Sequence, residues 1–156
     1  MGGVAFPSEI VVRTLEWVPQ WNSHDCGPAA ICTVLRAYGV AYDTAHVYAL
    51  ARPTHDGTPP GRMADTLCAY GLTCYMRSDM RLSDLRDCIT LCPVQYHGIG
   101  HWVAVGDVSP SGVVWLTCPA SGPQRVSGAA FLASWHDELN GLRLNRFGIE
   151  VQQCAY

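Results

Sequence analysis

The hydrophobic pattern changes period near the middle of the chain, and that change restricts the folds open to it. In the first half, apolar residues recur at helical spacing. Ala29, Ala30, Val34, Leu35 and Tyr38 form one stripe behind Cys26, and Leu82, Leu85 and Ile89 form another. In the second half, Val103 and Val105 alternate as on a half-buried strand. The pattern predicts helices over 26–38, 43–50 (with Asp43 as cap), 62–70 and 82–89, and a capped helix over 127–135. It predicts strands over 13–18, 72–76, 93–96, 102–108, 113–117 and 147–151. Gly39 and Gly71 mark helix ends, and Ser109 to Gly112 is a hairpin turn. Helices first and an antiparallel sheet afterwards define an α+β architecture. No repeat, linker or low-complexity stretch divides the chain, so one domain is expected over 1–156.

Composition closes several functional classes. With 49% hydrophobic and 15% charged residues the chain is globular, and a net charge of −3 leaves no footprint for nucleic acid or an anionic membrane. Met1 to Pro7 lacks the basic start and apolar run of a signal peptide, and no stretch is long and apolar enough to enter a membrane. The expected location is the cytoplasm as synthesised, with release to the cell wall by a phage lysis system as an outward route. Eight cysteines invite a disulfide framework or zinc. Most sit among alanine, leucine and valine, where a thiol acts as a small hydrophobe, and there is no Cys-x-x-Cys pair. No metal and no cofactor are expected.

The chemistry concentrates in Gln20-Trp-Asn-Ser-His-Asp-Cys26-Gly-Pro-Ala-Ala. A cysteine opening a buried helix lies at the positive end of the helix dipole, which is expected to lower its pKa and make a nucleophilic thiolate. Gly27 allows close backbone approach. The Gln20 side-chain amide, with the Cys26 N–H, supplies donors for an oxyanion. Gly98-Ile-Gly-His101-Trp-Val-Ala-Val places a histidine at the start of a strong strand, as an ion-pair partner and proton shuttle for the thiolate. Trp21, Asp25, Gly27 and Trp102 are candidates for the substrate cleft; Asp25 and His24 read equally well as turn residues.

These residues resemble the papain-like cysteine peptidases, above all the family that processes bacteriocins at double-glycine leaders. The resemblance runs from Gln20 to Trp135. It includes Gly57-Thr58 through Gly71-Leu72, Pro93-Val94, His101-Trp102-Val103, and a helix carrying Phe131 and Trp135. It implies a papain-like fold, N-terminal helices packed on a C-terminal antiparallel sheet. It also implies a Cys26 nucleophile, a His101 base and a Gln20 oxyanion donor. One position departs: the Asp-Pro that orients the family's histidine falls on Cys118-Pro119. A thiol is a weak acceptor. Three arrangements fit: a backbone carbonyl holds His101, Cys118 orients it, or the enzyme is impaired. Asp107 lies about 20 Å along the same strand and is a poor substitute.

The implied activity is amide cleavage through an acyl-thioester. The substrate is a peptide, and the isolation of the domain from any transporter leans toward peptidoglycan peptides. The other classes open to the sequence are a degenerate peptidase fold that grips a peptide without cutting it, and a Cys-His transferase or isopeptidase.

Overall fold

A computed structural model describes residues 15–139 and 141–153. Leu15 to Gln20 run without regular structure. The strand expected over 13–18 is therefore absent in its described part; Arg13 and Thr14 lie outside the described residues. The polar bends of Trp21 to His24 lead into α1 (Cys26–Ala37). This helix is buried at every position from Cys26 to Leu35. Small residues such as Gly27, Ala29 and Ala30 keep it slim enough to be enclosed. It ends where Gly39 adopts a left-handed φ of 68°.

Helix α2 (Thr44–Ala51) starts at Asp43, whose carboxylate accepts from the Ala45 N–H at 3.0 Å. After a proline- and glycine-rich loop, α3 (Pro60–Ala69) begins on Pro60, whose missing N–H costs nothing at a first turn. The strands are β1 (Leu72–Arg77), β2 (Ile89–Tyr96), β3 (Ile99–Val108), β4 (Val113–Cys118), β5 (Gly122–Ser127) and β8 (Gly148–Gln153). They form one antiparallel sheet in the order β1-β8-β2-β3-β4-β5. Helix α4 (Gly128–Ser134) follows β5, its N-terminus capped by Ser127, and β6 (His136–Leu139) and β7 (Leu142–Asn145) make a separate hairpin.

Apolar side chains cover both faces of the sheet. One face holds α1, α2 and α3 against Leu91, Trp102, Ala104, Ile149 and Val151. The other holds Phe131 and Trp135 against Cys92, Val94, Val103, Val105 and Val114. Residues of β3 alternate between these cores, as a pleat with two buried faces requires.

The predicted helix over 82–89 is a correction. Only Leu82–Leu85 turns, as one 3-10 turn; Asp87 takes a positive φ of 58°, and Ile89 opens β2 opposite Val151. A left-handed residue ends helical propagation. Among the described residues, no helix is long and apolar enough to cross a membrane.

Candidate active site

Helix α1 and strand β3 pack together and bring Cys26 and His101 to the same end of the structure. Cys26 lies in the first turn of α1. The backbone N–H of Trp102, the residue after His101, reaches its sulfur, as does that of Gly27. Cys26 as a whole is only 5% exposed. Burial pushes its pKa above the ordinary thiol value, against the lowering by those N–H groups. The sequence expectation of a depressed pKa is thereby corrected: loss of water outweighs the helix terminus.

His101 opens the buried part of β3, opposite Val94 on β2, and is 7% exposed. Its Nε2 lies 3.2 Å from the Cys118 Sγ at the end of β4. Cys118 itself is 1% exposed. Of the three arrangements the sequence left open, the geometry realises the thiol contact. Tyr96 stacks on the imidazole with ring centroids 4.9 Å apart. Burial pushes the His101 pKa down to about 4. Burial thus disfavours the charged form of both groups, against the ion pair expected from sequence.

Gln20 approaches from the segment before α1. Its backbone N–H donates to the Pro119 carbonyl at 3.1 Å, and the Trp17 indole N–H donates to the same oxygen at 3.1 Å. The turn beyond Cys118 and the approach to Cys26 are thus tied at one atom. The Gln20 Nε2 donates one N–H to the Asn22 carbonyl at 2.8 Å.

A cavity of about 600 Å³ opens at Cys26. His24, His55, Gly100, Asp137 and Glu138 contribute to its walls. His24 and His55 meet edge-on, His24 Nε2 to His55 Nδ1 at 3.3 Å. Asp137 accepts from Gln95 at 3.1 Å and from the Glu138 N–H at 2.8 Å, and burial raises its pKa. None of the four cleft residues expected from sequence lines this cavity. Trp21 is 62% exposed and edges onto Tyr48, and Asp25 is buried facing the Tyr48 hydroxyl. Gly27 turns its bare face to Thr58 and Met63, and Trp102 packs into the helix-side core. Asp107 is a buried structural carboxylate that accepts from Asp87 N at 3.0 Å and Val108 N at 2.8 Å.

Sequence reasoning missed Tyr96 and Thr58. Tyr96 had a signal: pairing β2 with β3 so that Val94 opposes His101 makes Tyr96 a diagonal neighbour. Thr58 carries no chemistry of its own, and only the packing shows it.

The peptidase C39 family model matches residues 14–139. The chain belongs to the peptidase C39 family. It is a cysteine peptidase, and its α+β fold is papain-like. No curated protein matches the chain. Among solved structures, a double-glycine motif protease from an AMS/PCAT transporter, in complex with the leader peptide, is similar with a TM-score of 0.73. The two are 16% identical over 91% of this chain and 94% of that one. The peptidase domain of Streptococcus ComA, a bi-functional ABC transporter involved in quorum sensing, is also similar. There the TM-score is 0.73 and the identity 22%, over 90% of this C39 peptidase and all of that domain. The N-terminal C39-like domain of the toxin secretion ATP-binding protein from Vibrio parahaemolyticus gives a TM-score of 0.59 at 14% identity, covering 85% and 100%.

Proposed function

We propose that this C39 peptidase cuts a peptide on the carboxyl side of a glycine pair, with Cys26 as nucleophile and His101 as base. The observation that carries the catalytic reading is the Cys26 sulfur at the cavity wall, reached by the N–H of the residue next to His101. Cys118 engages Nε2, so Nδ1 is the ring atom left to take the thiol proton. That requires the tautomer with hydrogen on Nε2, donated to Cys118.

Attack by sulfur on the scissile carbonyl carbon then moves the thiol proton to His101. The Cys26 N–H and the other N–H of Gln20 Nε2 meet the oxyanion. Collapse expels the amine, which takes the proton from His101 and leaves an acyl-thioester. Water, deprotonated by His101, releases the acid and restores the thiol.

Two observations support glycine at the acyl position. A nucleophilic residue only 5% exposed admits little beyond a backbone. The double-glycine protease of similar fold is held with a leader peptide. The test is a panel of leader-type peptides ending in Gly-Gly, the same peptides with Ala-Ala or Leu-Leu, and cross-linked muropeptides, read by mass spectrometry. Cleavage after Gly-Gly by the protein, and none by Cys26→Ala, is the expected result. Cleavage of muropeptides alone would overturn the leader-type substrate and favour cell-wall peptides. Transfer to an added amine in place of water would favour a transferase.

A further inference from the structure

Thr58 lies in the loop between α2 and α3, is fully buried, and touches the neighbours of both proposed catalytic residues. Its carbonyl accepts from the Trp102 indole N–H at 2.8 Å. Its side chain fills the space where a larger residue 27 would stand: a Cβ on Gly27 would come 2.6 Å from Thr58 Oγ1 and 2.8 Å from Thr58 Cβ. The Trp102 backbone N–H in turn reaches the Cys26 sulfur. The contacts close a circuit, from Thr58 through Trp102 to Cys26, and from Gly27 back to Thr58. Thr58 belongs to neither helix α1 nor strand β3, and it touches both. The Thr58 hydroxyl finds no partner among the described residues. A buried orphan hydroxyl is a cost to the fold, so its value here is not hydrogen bonding.

We propose that Thr58 is a positioning residue that sets the separation of Cys26 from His101, acting by side-chain shape and by its backbone carbonyl. The proposal rests on the Cys26–His101 reading of the site. Gly27 is then glycine because Thr58 occupies its Cβ position, and the loop, helix and strand are matched as a set. A displacement of about 1 Å between reacting groups costs roughly a hundredfold in rate.

The test is a rescue series, each variant checked for folding by circular dichroism and thermal melt. It is read by kcat, KM and the rate at which iodoacetamide alkylates Cys26. Gly27→Ala is expected to lower kcat about a hundredfold with little change in KM. Gly27→Ala with Thr58→Gly, which empties the space the new methyl needs, is expected to regain at least about tenfold of it. Thr58→Gly alone is expected to lower kcat and change the alkylation rate. The conservative Thr58→Val, which keeps the shape and drops the hydroxyl, stays within about threefold of the parent. Trp102→Phe, which removes the donor to the Thr58 carbonyl, lowers kcat, and less so on a Thr58→Gly background.

Wild-type kcat in Gly27→Ala, or a folded double variant with no regain, overturns the proposal. If Gly27→Ala fails to fold, Thr58→Gly decides, and unchanged kcat and alkylation rate overturn it. A loss in Thr58→Val equal to that in Thr58→Gly overturns the shape argument. These outcomes are separate from the catalytic reading, which falls if Cys26→Ala or His101→Ala still turns over.

Discussion

Cys26 opens a helix enclosed on every side, whereas His101 opens a strand and is held by two side chains, the Cys118 thiol and the Tyr96 ring. On the helix side the proposed nucleophile is fixed by backbone: its sulfur meets N–H groups, and its neighbour Gly27 is wedged against Thr58. On the strand side the proposed base is held by a weak acceptor, the Cys118 thiol, where the family resemblance implied a carboxylate. Burial disfavours the charged form on both sides. The difference teaches that this site relies on geometry rather than on a preformed ion pair. The strand side is where its chemistry is most open to adjustment.

The harshest way to break the comparison is to delete either partner. Cys26→Ala and His101→Ala should each bring peptide cleavage to the same floor, a loss on the order of 10⁶, because residues that act as a unit fail as a unit. Substantial turnover in His101→Ala, measured on the Gly-Gly peptide, would remove the strand side from catalysis. Gln20→Ala should lower kcat by about 10²–10³ with KM nearly unchanged, the signature of a donor used in the transition state. An effect confined to KM would make Gln20 a substrate contact.

Cys118→Asp sharpens the contrast instead. A carboxylate at Nε2 holds the required tautomer and favours the imidazolium, so kcat should rise by about tenfold. The acid limb of kcat/KM should move upward as well. In the parent protein that limb is set by His101, which must be neutral to accept a proton, so activity should persist down to pH about 4. An acid limb at the ordinary histidine value in the parent would contradict the lowered His101 pKa.

The smallest effect is on stability. The folded His101 has a pKa of about 4, below its unfolded value. Between the two values the unfolded chain binds more protons. Stability is therefore full above the unfolded pKa and falls as pH drops toward 4, by at most about 3 kcal/mol. Urea titrations at pH 7 and pH 4.5 measure this, and His101→Gln should flatten the difference.

The proposed catalytic centre could be read from the sequence because its parts carry chemistry in fixed order: Gln20, then Cys26-Gly27 opening a helix, then His101-Trp102 early in a strand. The helices starting at Cys26, Thr44 and Pro60 were legible from their caps and apolar stripes. Strand β5 was not, because Pro123, Gln124 and Arg125 give it a turn-like composition, which an edge strand tolerates. The hairpin of β6 and β7 was hidden for a related reason, since its four-residue strands are largely polar. Over 82–89 the helical spacing of Leu82, Leu85 and Ile89 was real. It served one turn and a strand, because Asp87 turns the chain in between. The pKa directions were misread because the dipole of α1 is visible in sequence and the depth of burial is not.

The Pro119 carbonyl, which accepts from Trp17 and Gln20, has a consequence in time as well as in space. Trp17 and Pro119 are 102 residues apart in the chain. Contacts of that separation form late, after the entropy of closing the intervening loop has been met. The approach to Cys26 therefore has only its local tie, Val18 N–H to the Thr33 hydroxyl, until Pro119 has been made, and His101 lacks Cys118 until the same turn emerges. Both supports arrive together, so an unfinished chain carries a thiol and an imidazole but no assembled cutter.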